Sequence, residues 1–319
     1  MDGWQEDGTS RGVRHVPVML DEVLSLASAL TSPSLVIDAT LGAGGHAAAL
    51  LEALPSVRYI GIDADPEACA RSAERLQAFA SRLEIINTYY DEALAMLRQR
   101  TPAPHASFML FDLGLSMFQL GASGRGFSLA ADEPLDMRFS PDAPLSAAEI
   151  VNSWREEDLA DLIYKYGEER YARRIARAIV HARRTERIRT ASRLAWIIGG
   201  AVPPQYRHGR IHPATRTFQA LRIAVNDELG RVERAMRLAL DLLAPGGILA
   251  VISFHSLEDR IVKQAFAEAA KAGRVELLWK KPREPGEAEI ASNPPSRSAK
   301  LRAVQARELS ATSLEGAGS

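Results

Sequence analysis

Two aspartates and a glycine cluster are the first residues whose types and spacing imply chemistry. In Asp38-Ala39-Thr40-Leu41-Gly42-Ala43-Gly44-Gly45-His46 a carboxylate closes an apolar run, and glycines follow almost at once. A glycine turn lets backbone amides approach a ligand without interference from Cβ, and the start of a following helix adds partial positive charge. Asp63 lies 21 residues beyond Gly42, a distance at which an acid reaches ribose hydroxyls. The pair implies a nucleoside-type cofactor. Gly42, Gly44 and Ala47 also satisfy the dinucleotide fingerprint in its Ala-ended form, so a nicotinamide dinucleotide stays open on these residues alone. Asp38 argues for a different ligand, because it would repel a pyrophosphate but suits the sulfonium and amino group of S-adenosylmethionine. In the plainer alternative, Asp38 and Thr40 cap the helix and the glycines make a tight turn.

Positioning these groups requires strands that end at the carboxylates. Apolar runs at Leu35 to Ala39, Arg58 to Asp63, Leu83 to Asn87, Ser107 to Asp112 and Ile248 to Ser253 read as strands with helical patterns between them. That alternation predicts a mostly parallel, doubly wound, Rossmann-like α/β sheet. The fifth strand follows the fourth by about 135 residues, so a helical block is inserted there. Punctuation at Gly121 to Pro144 and Gly199 to Pro213 marks its ends. We expect a core of residues 1–122 and 213–319 and a helical substrate-recognition insertion over 123–212. Asn226 to Leu243 reads as one long helix, and Val275 to Trp279 and Leu301 to Gln305 as further strands.

The formal net charge of -1 conceals an uneven distribution. From Lys165 to Arg222 there are 14 Lys or Arg against Glu168, Glu169 and Glu186, an excess of 11. A local excess of that size suits phosphate contacts, although many charge runs are solvated helix faces. Tyr171, Ile175, Ala178, Ile179 and Ala182 share one helical face there, with Arg170, Arg173, Arg174, Arg177 and Arg184 on the other. The single Cys69 excludes an internal disulfide framework and a cysteine-based metal site, which fits the cytoplasm. Residues 1–14 lack the apolar segment of a secretory signal, and no apolar run approaches the roughly 18 residues of a membrane span.

Further motifs are more specific. They are Phe111-Asp112-Leu113-Gly114-Leu115-Ser116, Arg125-Gly126-Phe127-Ser128, Pro134-Leu135-Asp136-Met137-Arg138, Tyr166-Gly167-Glu168-Glu169, His212-Pro213-Ala214-Thr215-Arg216 and Ser253-Phe254-His255-Ser256-Leu257-Glu258-Asp259-Arg260. Over nearly the whole chain they resemble the MraW family of bacterial 16S rRNA (cytosine N4)-methyltransferases, ribosomal RNA small subunit methyltransferase H. Leu243-Ala244-Pro245-Gly246-Gly247-Ile248-Leu249 resembles the entry to the fifth strand of class I methyltransferases.

The resemblance implies a class I S-adenosylmethionine-dependent methyltransferase acting on the exocyclic N4 of a cytidine in the decoding region of 16S rRNA, within the 30S subunit. It implies that Gly44, Gly45 and His46 line the methionine and ribose part of the cofactor, that Asp63 binds the ribose hydroxyls, and that Asp112 and Gln119 complete the pocket. Tyr90 stands where the family usually has Phe and would stack on adenine. Ser116-Met117-Phe118-Gln119-Leu120-Gly121 departs from the usual Ser-Ser-Pro-Gln-Leu-Asp, which weakens the case for Gln119. A homodimer is compatible with the family but has no motif behind it, and no metal or membrane is implied.

Methyl transfer from a sulfonium needs alignment more than acid or metal chemistry, and alignment is worth roughly 7 to 11 kcal/mol of a barrier. The acceptor is harder, because the cytosine amine delocalises its lone pair until acceptors bind its hydrogens. Asp112, at the end of the fourth strand, is the candidate catalytic carboxylate; the alternatives are the Leu113 or Gly114 carbonyl assisted by Ser116, with Asp112 only binding the cofactor. Arg125 and Arg138 flank a glycine-containing loop placed to order over the target nucleotide, and Arg216, His255 and Arg260 are candidates for the substrate side. Alternatively, Arg216 and Arg260 pair with Glu258, Asp259 or Asp227.

Overall fold

The structure, a computed structural model, describes residues 17–115, 123–129, 132–207, 209 and 211–308. In chain order the first half comprises α1 (Leu20–Ser28), β1 (Leu35–Asp38), α2 (Gly45–Ala53), β2 (Arg58–Asp63), α3 (Pro66–Arg75), β3 (Leu83–Asn87), α4 (Tyr90–Gln99) and β4 (Ala106–Asp112). Among the described residues, the helices that follow are α5 (Ala147–Ser153), α6 (Glu156–Gly167), α7 (Ala172–Thr185), α8 (Ala191–Ala201), α9 (Pro204–Arg207) and α10 (Thr215–Asn226). The chain returns through α11 (Glu228–Asp241) to β5 (Leu243–Ser253), α12 (Ser256–Lys271), β6 (Val275–Leu277), α13 (Glu287–Ser292) and β7 (Lys300–Ala306).

The seven strands form one sheet in the order β3-β2-β1-β4-β5-β7-β6. Its first five strands run parallel, while β7 is antiparallel to both β5 and β6. This is the class I methyltransferase arrangement, as the sequence implied. Because helices cover both faces, the central strands are apolar throughout rather than alternating. Phe108 to Phe111 and Val36 to Ile37 are fully buried. Ile37, Met109 and Phe111 point to the face covered by α4, α11 and α12, and Val36, Phe108 and Leu110 to the face covered by α1 and α2. Asp38 sits between Gly61 of β2 and Leu110 of β4, so the strand ends bring distant acids to one rim.

Two expectations change. The helix read as running from Asn226 to Leu243 spans Glu228–Asp241 as α11, and Asp227, with a left-handed φ of 49°, separates it from α10. β5 begins at Leu243 rather than Ile248, because Leu243 pairs with Ala106 before a register shift. The inserted helices share one buried cluster running from Phe127 to Val225, and thus including α10 beyond position 212. Gly167 is where α6 meets α10: a Cβ there would lie 2.5 Å from the Arg216 carbonyl oxygen, an approach only glycine permits.

Candidate active site

The loop after β1 ties three carboxylates together. Asp38 is buried, its Oδ1 accepting the Thr40 amide at 3.1 Å and its Oδ2 the Tyr59 hydroxyl at 2.9 Å. The Thr40 hydroxyl accepts the Asp112 amide at 2.6 Å. Gly42, at φ +53°, donates its amide to Asp63 Oδ2 at 2.8 Å, while Asp63 Oδ1 takes the Asp65 amide at 2.9 Å. Each Asp63 oxygen retains a second lone pair for a ligand hydroxyl. From α3, Ser72 holds the Gly42 carbonyl at 2.6 Å and Arg75 the Ala43 carbonyl at 3.2 Å. Gly44 (φ +72°) then leads into α2, which has no side-chain cap. Asp38 and Thr40 therefore do not cap this helix, and its first turn can receive a ligand carboxylate.

None of the three acids pairs with a lysine or arginine among the described residues, and their electrostatics record it. Burial pushes Asp38 up to about 6 despite the Thr40 amide and the Tyr59 hydroxyl. It pushes Asp63 up to about 6 despite two backbone donors. Asp112 rises to about 8, from burial first and then from the charges of Asp38 and Glu258. Its Oδ1 is buried without a hydrogen-bond partner, and its Oδ2 lies 3.6 Å from His46 Nδ1, too far for a hydrogen bond. The His46 ring is fixed from its other side, Nε2 to the Val18 carbonyl at 3.0 Å. A site of this kind holds unneutralised negative potential and an unmet acceptor, and a cationic ligand with N–H donors supplies both.

Tyr90 leans edge-on against Phe111, with ring centroids 5.6 Å apart. Burial, together with the charges of Glu228 and Glu258, holds its hydroxyl well above the ordinary range. Behind it lies a cluster that the sequence reading did not single out. Glu228 takes both arms of Arg222 at 2.7 and 2.8 Å. Glu258 takes the Phe254 amide at 3.0 Å and lies 3.1 Å from His255 Nε2. Glu228, His255 and Glu258 come close enough to hold a metal ion, but protein donors already engage both carboxylates. Only Glu258 and His255 lay within motifs noted in the sequence, and their meeting with Glu228 and Arg222 depends on the turn at Asp227 between α10 and α11.

The substrate-side candidates divide. Arg125 donates to the carbonyls of Arg138 (3.1 Å) and Phe139 (2.7 Å) and forms a short ion pair with Asp65. Arg138 chelates Asp136 and holds the carbonyls of Pro141 and Ala143. Both arginines thus hold their own loop in place, largely through its backbone carbonyls. Phe127 packs on Phe139 with ring centroids 5.8 Å apart. Arg216 donates to the Glu168 carbonyl at 2.9 Å, and exposed Arg260 lies 3.6 Å from the Glu168 carboxylate. Neither pairs with Glu258, Asp259 or Asp227, because Arg302 holds Asp259 and Arg234 holds Asp227. His255 caps α12 by accepting the Glu258 amide. Gln119 and the divergent Met117, Phe118 and Gly121 lie outside the described residues.

Residues 12–307 match the model of the MraW methylase family. The chain belongs to this family. It is 48% identical over 306 residues to ribosomal RNA small subunit methyltransferase H of Treponema denticola, covering 91% of this chain and 96% of that one. It is 51% identical over 297 residues to the protein of the same name from Prochlorococcus marinus, covering 91% and 92%. Among solved structures, an rRNA methylase from Streptococcus thermophilus aligns over 91% of this chain and 94% of its own, at 12% identity and a TM-score of 0.41. The donor of a class I methylase, S-adenosylmethionine, fits the site tested on its own terms. The orphaned Asp112 oxygen, the uncapped α2 and the free lone pairs of Asp63 match an amino group, a carboxylate and ribose hydroxyls. Among the described residues, no helix is long and apolar enough to cross a membrane.

Proposed function

We propose that this protein transfers a methyl group from S-adenosylmethionine to the exocyclic N4 of a cytidine in the decoding region of 16S rRNA, with the 30S subunit as its substrate particle. The observation that carries the reading is the set of three sheltered carboxylates gathered at one glycine loop, without a lysine or arginine salt bridge among the described residues and one of them with an unmet acceptor. S-adenosylmethionine, when bound, supplies an electrophilic methyl on a sulfonium. Asp63 holds ribose hydroxyls, Gly44, Gly45 and His46 line the methionine and ribose part, and Tyr90 presents its ring to adenine. Gln119 belongs to the same proposal through the family pattern.

Asp112 is the catalytic residue in this reading. A carboxylate that accepts an N4 hydrogen lets the nitrogen pyramidalise and expose its lone pair, and it is placed to take the proton released when the new C–N bond forms. Arg216, His255 and Arg260 border the substrate side, and Arg125 and Arg138 shape the loop beside it. The insertion, 123–212 with the adjoining α10, recognises the RNA through the exposed arginines of α7. The test is incubation of undermethylated 30S subunits, and separately of naked rRNA, with tritiated donor, followed by nucleoside analysis. The reading expects label in N4-methylcytidine. Absence of incorporation into both substrates removes it.

A further inference from the structure

The insertion carries a cleft that the methyl-transfer site does not use. It lies where the turn after α6 meets α9 and the start of α10, encloses about 320 Å³, and is lined in part by Arg170, Tyr171, Gln205, Tyr206, His212 and Arg216. That volume suits a small ligand. Tyr171 and Tyr206 meet edge to face, with centroids 5.0 Å apart. The exposed Arg170 guanidinium lies 4.8 Å from one ring centroid and 5.1 Å from the other. Below the rings, buried Glu169 accepts the Tyr171 amide at 2.8 Å and the Tyr206 hydroxyl at 2.5 Å. The carboxylate beneath the cleft is therefore occupied and fixes the tyrosines. Arg170 forms no ion pair among the described residues, and Arg216 commits Nη1 to the Glu168 carbonyl while its other donors remain.

The cleft also adjoins the proposed acceptor side. The Glu168 carboxylate takes the Ser256 hydroxyl at 2.6 Å, and Ser256 opens α12 directly after His255. Aromatic faces combined with planar, uncommitted guanidinium groups bind unstacked bases and their phosphates. We propose that this cleft is a second nucleotide site, holding one unstacked nucleotide of a single-stranded RNA segment with its base against Tyr171 and Tyr206 and its phosphates at Arg170 and Arg216. The inference rests on the reading that the protein acts on RNA, and adds that the strand is gripped at a nucleotide other than the methyl acceptor.

Arg170→Ala and Arg170→Lys test it in the full chain, because Arg170 is exposed and its loss leaves no buried group unpaired. The probe is fluorescein-labelled hexacytidylate, with hexaglutamate as the competing peptide, and donor affinity and melting temperature are measured in parallel. Arg170→Ala is expected to weaken hexacytidylate binding about 5- to 50-fold and to lower the salt slope by about 0.7, leaving donor affinity unchanged. Arg170→Lys keeps the slope but recovers little affinity, since it lacks the planar face. Absent wild-type binding, equal binding by Arg170→Ala, or tighter Arg170-dependent binding of hexaglutamate each overturns the proposal. Transfer to 30S subunits is scored separately. Arg170-dependent hexacytidylate binding without any methyl incorporation supports the cleft and removes the methylation reading, whereas incorporation with Arg170-independent binding does the reverse.

Discussion

The rim of the sheet and the outer face of α7 are both strongly charged, yet they handle charge in opposite ways. At the rim, Asp38, Asp63 and Asp112 are sheltered and repel one another, and burial raises all three. On α7, Arg173, Arg174, Arg177 and Arg184 are exposed, and the pair of Arg177 with Glu156 at 3.4 Å is open to solvent on both sides. Sheltered charge acts at short range in a low dielectric and selects one ligand of fixed shape. Exposed charge is screened by salt, adds roughly per phosphate and selects a class of polymer. The molecule thus separates donor specificity from polyanion affinity.

The comparison breaks first at Asp112. Replacing it by Asn keeps the shape and removes the acceptor charge, and methyl-transfer kcat should fall roughly 100- to 10,000-fold. An undiminished rate in a single-turnover assay would assign Asp112 to cofactor binding alone. Asp63→Ala should raise the donor Kd about 10- to 100-fold by calorimetry, since hydrogen bonds to a charged group contribute roughly 1.5 to 3 kcal/mol each. On the other region, replacing Arg173, Arg174 and Arg177 together by Ala should weaken RNA binding, reduce the salt slope by about 2 to 3 and leave the donor Kd unchanged. An unchanged slope would make the α7 face merely solvated.

Smaller effects sharpen the contrast. Folded Asp112 holds its proton up to about 8, whereas an unfolded aspartate loses it near about 4. The stability that proton represents is complete below the lower value and is lost as pH rises through the upper one. The melting temperature of Asp112→Asn relative to wild type should therefore climb between those limits and level off above them. A constant difference would show that Asp112 titrates normally. Glu156→Gln, by contrast, should change stability by no more than about 0.5 kcal/mol at any ionic strength, as exposed pairs contribute little.

Much of this division was legible in the sequence. Apolar runs ending in Asp38, Asp63 and Asp112 marked three parallel strands and the carboxylates at their ends, because in such strands the backbone alone fixes where the last residue stands. The cationic side of α7 followed from spacing, and Ile175 and Ile179 are buried as that spacing required. Side-chain partners from distant elements were not legible. Nothing local in β2 shows that Tyr59 will donate to Asp38, or that Asp65 will capture Arg125 from 60 residues away. Arg125 and Arg138 were read as flanking a loop over the target nucleotide, but that they hold that loop's own carbonyls was not legible, because every sequence contains backbone carbonyls.

The most direct test of the central claim measures protons released on donor binding. Calorimetric titration of S-adenosylmethionine near pH 7, in two buffers of different ionisation enthalpy, should show proton release by the wild-type protein, because the arriving sulfonium stabilises ionised Asp112. Release should be smaller with the uncharged thioether S-adenosylhomocysteine, and Asp112→Asn should abolish the difference between the two ligands. Equal proton release for both ligands in the wild type would contradict the account, showing that the sheltered carboxylates do not sense the sulfonium.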